Sequence, residues 1–131
     1  MAKKNDSWYW NIWREGTAFD AWTLTHILSG GWMASLILLL DIEPTGGFVA
    51  SFLLMVAWEI FEVGKGVHEW MANKIMDVVT GVLGYFVVYF LQVKMSHFDG
   101  LVFFDGIFVV YLVFVAFGFA AYMRRTGKWM V

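Results

Sequence analysis

The chain has no cysteine, which excludes disulfides, iron–sulfur clusters and thiol chemistry. It has one proline, Pro44, so almost nothing in it forbids helix. Charge is scarce. Only 15% of residues are Asp, Glu, Lys or Arg, and the formal net charge of −2 offers nothing to a nucleic acid. No glycine-rich loop of the phosphate-binding kind is present, which removes the usual nucleotide site of a phosphotransferase. Lys3 and Lys4 stand near the start, but no apolar h-region follows within signal-peptide distance. No cleavable signal is expected, and the first span is expected to act as the insertion signal.

What is abundant is apolar and aromatic. The chain is 60% hydrophobic and 20% aromatic over 131 residues, with a mean hydropathy of +0.66. Soluble domains hold roughly 45–50% apolar residues. The expected fold is therefore all-α, a polytopic membrane protein with four transmembrane helices in a bundle. The spans are read at about 21–40, 48–63, 75–93 and 101–122, together a transmembrane domain over residues 21–131. Each approaches the roughly 20 residues that cross a bilayer. Residues 1–20 form an arm in which Trp8, Trp10 and Trp13 predict an amphipathic interfacial helix over residues 7–19. The stretch from Asp41 to Gly47, with Pro44 and two glycines, reads as a turn.

The basic residues orient these spans. Lys3, Lys4, Arg14, Lys65, Lys74, Arg124, Arg125 and Lys128 fall on one side, and only Lys94 of the nine falls on the other. The positive-inside rule then places both termini in the cytoplasm.

Against this background five polar side chains stand out: His26, Glu59, Glu62, Glu69 and Asp77. Ionisable groups in hydrocarbon cost on the order of 2.5–3.5 kcal/mol each on insertion scales, so they persist mainly in a bundle interior or at a function. With the spans as drawn, His26 lies about five residues, or roughly 8 Å, in from the cytoplasmic side. Glu59 and Glu62 lie in the last turns of the second span and share a face. Glu69, Asn73, Asp77 and Gly81 recur at intervals of four, which lines one face if helix continues through Trp70. Gly30, Gly31, Gly81 and Gly84 are small enough to let the helices that carry them approach closely.

Carboxylates gathered in low dielectric cannot all be ionised, so such a cluster shares protons, holds a cation, or pairs with Lys65, Lys74 or His26. Simpler roles exist for each residue. Glu59 and Glu62 can reach water or Lys65, Asp77 can favour a helix start, and His26 can hydrogen-bond between helices. Glu69 and His68 suit a solvated loop, and Asp105 an ordinary helix start. The aromatic stripe of Phe104, Phe108, Tyr111, Val115 and Phe119 reads as lipid-facing or packing surface.

The run Trp58-Glu59-Ile60-Phe61-Glu62, followed by Asp77, Gly81 and Gly84, resembles the core of the VanZ-like group of small bacterial membrane proteins. Asp20 with His26 is similar to the acid-then-histidine opening of that group, and related families share a histidine, a glutamate pair and an aspartate–glycine helix. The chain departs from the pattern at three places. Glu62 stands where glutamine is usual, Lys74 where arginine precedes the aspartate, and Thr80 where asparagine follows it. The resemblance implies a bacterial inner membrane and an association with resistance to a lipoglycopeptide antibiotic, without an established reaction.

Three functions compete on these grounds. The first is a polar site near the cytoplasmic face that binds a lipid headgroup, a lipid-like ligand or a cation, whether as a binding protein or as a metal-dependent enzyme acting on lipid. Glu59, Glu62 and Asp77 would suit a hard divalent metal, and His26 would extend the choice to manganese, iron or zinc. The second is a proton pathway, disfavoured because no polar residue bridges mid-depth. The third is a non-catalytic accessory subunit, its aromatic surface packed on a second copy or a larger membrane complex.

Overall fold

The computed structural model describes residues 12–13, 19–65, 70–95 and 99–127, and among these all regular structure is helical. Four helices follow one another: α1, Ala21–Leu39; α2, Pro44–Gly64; α3, Met71–Lys94; and α4, Gly100–Thr126. Each is long and apolar enough to cross a membrane. Their 19 to 27 residues correspond to about 28–40 Å at 1.5 Å per residue.

Local sequence sets the boundaries. Asp20 caps α1, its Oδ1 accepting from Trp22 N–H at 2.8 Å and Thr23 N–H at 3.3 Å. The Thr23 hydroxyl accepts in return from Asp20 N–H at 3.2 Å, completing a reciprocal capping box. Helix α2 begins at Pro44, about four residues earlier than the turn reading places it. Proline is favoured in the first turn because its missing N–H is unpaired there anyway. Glu43 caps the same turn, accepting from Thr45 and Gly46 N–H at 2.9 and 2.6 Å. Asp99 caps α4, and Gly127 ends it in the left-handed region at φ 68°. Arg124 and Arg125 sit in that last turn, where the helix dipole favours them.

Helix α1 occupies the centre and touches the other three. Its closest neighbour is α3. A Cβ built on Gly30 would fall into the carbonyl of Gly81, and one on Gly84 would fall into the carbonyl of Ile27. Backbone thus lies on backbone at this crossing. In lipid, packing of this kind replaces the hydrophobic effect as the main attraction between helices. Helix α4 packs on α1 through aromatic rings. Trp32 lies 5.8, 5.1 and 6.3 Å from Phe104, Phe108 and Tyr111, and Trp22 lies 6.1 Å from Phe119. The aromatic stripe of α4 is therefore a packing surface. Helix α2 leans on α1 and α3 at Gly47, Met55 and Phe48; Gly47 lies against Ile37, and Phe48 lies 5.4 Å from Tyr85.

Most large apolar side chains face outward, Leu53, Ile60, Val102 and Phe117 among them. The buried set instead includes Thr23, Thr25, Ser35, Ser51, Glu59, Asn73, Asp77 and Thr80. That inversion of the water-soluble pattern is what a hydrocarbon surrounding selects. The predicted arm helix lies almost wholly outside the described residues. Of that segment, Trp13 is buried against Trp22 and Phe114, and its carbonyl accepts from Arg125.

Candidate functional site

The polar residues converge at the end of the molecule where α1 and α3 begin and α2 and α4 finish. His26 comes from the second turn of α1, Glu59 from the last third of α2 and Asp77 from the second turn of α3. His26 Nδ1 is 3.9 Å from Glu59 Oε1, and His26 Nε2 is 3.8 Å from Asp77 Oδ2. Glu59 is 7% exposed and Asp77 2%, so both acids are withdrawn from the surroundings. One donor atom from each of the three residues lies within 4.8 Å of the others.

Neighbouring side chains hold Asp77 in place. Asn73, one turn earlier on α3 and fully buried, donates its amide to Asp77 Oδ2 at 3.0 Å. Thr23 donates to Asp77 Oδ1 at 3.4 Å. Thr80 donates to the Asp77 carbonyl at 3.2 Å, which fixes the backbone beneath the carboxylate. The four-residue periodicity of Asn73, Asp77 and Gly81 holds, and all three are buried. It does not extend to Glu69 through continuous helix. Trp70 is the cap of α3, with φ −67° and ψ 144°, and Glu69 lies outside the described residues. The extended backbone at Trp70 breaks the register.

Glu62 sits apart from the three-way cluster, on the wall of a cleft of about 250 Å³. The floor of this cleft is α1, at Trp22, Thr25, His26, Ser29 and Met33. One wall is α2, at Met55, Trp58 and Glu62; the other is α4, at Tyr111, Val115 and Phe119. His26 belongs to both the cluster and the cleft floor. It is the junction between them.

The geometry ranks the chemistry. Ligands on one zinc-sized ion, with bonds near 2.0–2.2 Å, stand roughly 3.0–3.5 Å apart. The cluster is wider than that, so binding an ion would draw its three side chains inward. His26 instead turns one ring nitrogen toward each carboxylate, at 3.9 and 3.8 Å, close enough for charge interaction and too long for a direct hydrogen bond. The mixed nitrogen and oxygen donor set still fits a divalent transition metal.

Sequence reasoning missed Thr23 and the cleft. The aspartate-x-x-threonine spacing of Asp20 and Thr23 is a capping signal, which identifies the helix start but not the threonine's second partner on α3. The cleft has no local signature, because its walls come from helices far apart in the chain. Comparison with protein-family models, with curated proteins and with solved structures returned no match.

Proposed function

We propose that the protein is a four-helix membrane bundle, with an interfacial N-terminal arm, that binds a lipid-like ligand. The ligand's polar group sits on His26, beside Glu59, Asp77 and Glu62. One observation carries this reading: the cleft has walls from α2 and α4, and His26, the one cluster residue that lines it, forms part of its floor. A bilayer surrounding the helices would supply an amphiphile sideways, with its tail still in hydrocarbon and its polar group against the buried acids. Orientation follows the charges. Lys65, Lys74, Arg124 and Arg125 flank the site end of the helices and Lys94 the other, which favours the cytoplasmic side for the site and both termini. The VanZ-like pattern of Trp58 to Glu62 and Asp77 to Gly84 is the reason for placing the protein in a bacterial inner membrane.

The test is native mass spectrometry of protein released from a mild detergent, wild type beside Met33→Trp, which fills the cleft floor. Retained lipid on the wild type and its loss from the variant are expected. A wild type that holds no lipid and binds no added amphiphile would refute the reading.

The donor set favours a second reading, a divalent metal held by His26, Glu59 and Asp77. It predicts about one metal per chain by elemental analysis, lost in both Glu59→Gln and Asp77→Asn. Metal-free wild-type protein after supply of manganese, iron or zinc would dismiss it.

A further inference from the structure

We infer that the cleft selects an amphiphile with an ammonium head, lodged among Trp22, Trp58, Tyr111 and Phe119 beside Glu62, its alkyl chain leading out between α2 and α4. This rests on the lipid-like-ligand reading and names the class of ligand.

The lining argues for a cation. Four aromatic side chains from three helices line the cleft together with one acid, Glu62, and among the described lining residues there is no lysine or arginine. Aromatic faces attract ammonium groups, more strongly when water is excluded, and aromatic cages are a common way to bind quaternary ammonium. An anionic head would meet the Glu62 carboxyl directly, with the Glu59 and Asp77 carboxyls behind His26. The described lining offers it no lysine or arginine in compensation.

Neutral polyhydroxyl heads fit poorly for a different reason. The hydroxyls on the cleft floor already serve their own helix: Thr25 donates to the Trp22 carbonyl at 2.7 Å and Ser29 to the His26 carbonyl at 2.9 Å. Neither hydroxyl hydrogen is left for a sugar. The volume of about 250 Å³ lies near the lower end of small-ligand sites. That suits a compact head and its first methylenes, not a glycan.

The experiment compares labelled dodecyltrimethylammonium, laurate and dodecanol, titrated onto the full-length protein in neutral maltoside micelles, with empty micelles as blank. Expected is saturable binding of the ammonium probe, about tenfold tighter than the other two. Binding should weaken about tenfold in Glu62→Gln and in Trp58→Leu, with the thermal midpoint unchanged. Equal binding of all three probes would overturn the ammonium preference and leave the lipid-like-ligand reading standing. No saturable binding of any probe would overturn both. An ammonium preference that both variants retain would place the cation elsewhere and overturn this assignment.

Discussion

Thr23 joins the start of α1 to the buried acid of α3: its hydroxyl accepts from Asp20 N–H at 3.2 Å and donates to Asp77 Oδ1 at 3.4 Å. One oxygen therefore serves a helix cap and the polar cluster at once. Whatever disturbs the cap also disturbs the carboxylate that faces His26.

Thr23→Val tests this link, because it keeps the shape and removes the oxygen. Loss of about 1–3 kcal/mol is expected from the missing cap partner and the lost donor to a buried acid. Thr23→Ser should recover most of it. Thermal unfolding in detergent reads both, and a valine variant as stable as wild type would show that the bridge contributes nothing.

The α1–α3 crossing gives a second test. Gly30→Ala drives a methyl into the Gly81 carbonyl, and backbone on both sides leaves it nowhere to go. The helices must separate, at about 1–3 kcal/mol or more. Gly81 also lies close to the His26 carbonyl, so ligand binding should weaken together with stability. Gly106→Ala is the control. Nothing lies within 4 Å of its added methyl, and helix propensity should make it neutral or stabilising by about 0.5–1 kcal/mol. Equal melting of the two variants would argue against the close crossing.

At the opposite end, Glu43 predicts a pH dependence. Backbone N–H groups of Gly46 and Thr45 hold its carboxyl below the ordinary glutamate value of 4.5. A group with a lowered folded-state pKa stabilises above its unfolded pKa, and that contribution is lost as pH falls through the folded value. Wild type should thus exceed Glu43→Gln in thermal midpoint at pH 7, and the gap should narrow progressively as pH falls below 4.5. A gap that stays constant down to pH 3 would assign the cap's effect to geometry, not charge.

Much of this architecture was legible in the chain because it depends on local rules. Long apolar runs act locally and predict the spans; the caps at Asp20 and Asp99 and the terminator Gly127 are equally local but do not enter the sequence reading, so α4 runs to Thr126, four residues past the expected 122. The glycine pairs announced a close crossing, and α1 and α3 meet at them. The start of α2 was harder to place, since Pro44 can break a helix or open one, and the Glu43 cap decides for opening. The site was legible as a list but not as a geometry. His26, Glu59 and Asp77 meet, Asn73 supports Asp77, and Glu62 turns to the cleft instead.

The sequence by itself determined that four helices form and which few residues are too polar for a lipid-facing position, because hydrogen bonding along a helix and burial in hydrocarbon are set by residue type and spacing. Tertiary structure alone decided that His26 stands between two acids, that Thr23 reaches Asp77, and that aromatic side chains of α1, α2 and α4 line a cleft that includes His26. Those relationships depend on how closely the glycine faces of α1 and α3 approach and on the separation left between α2 and α4, and both are settled by packing between residues far apart in the chain.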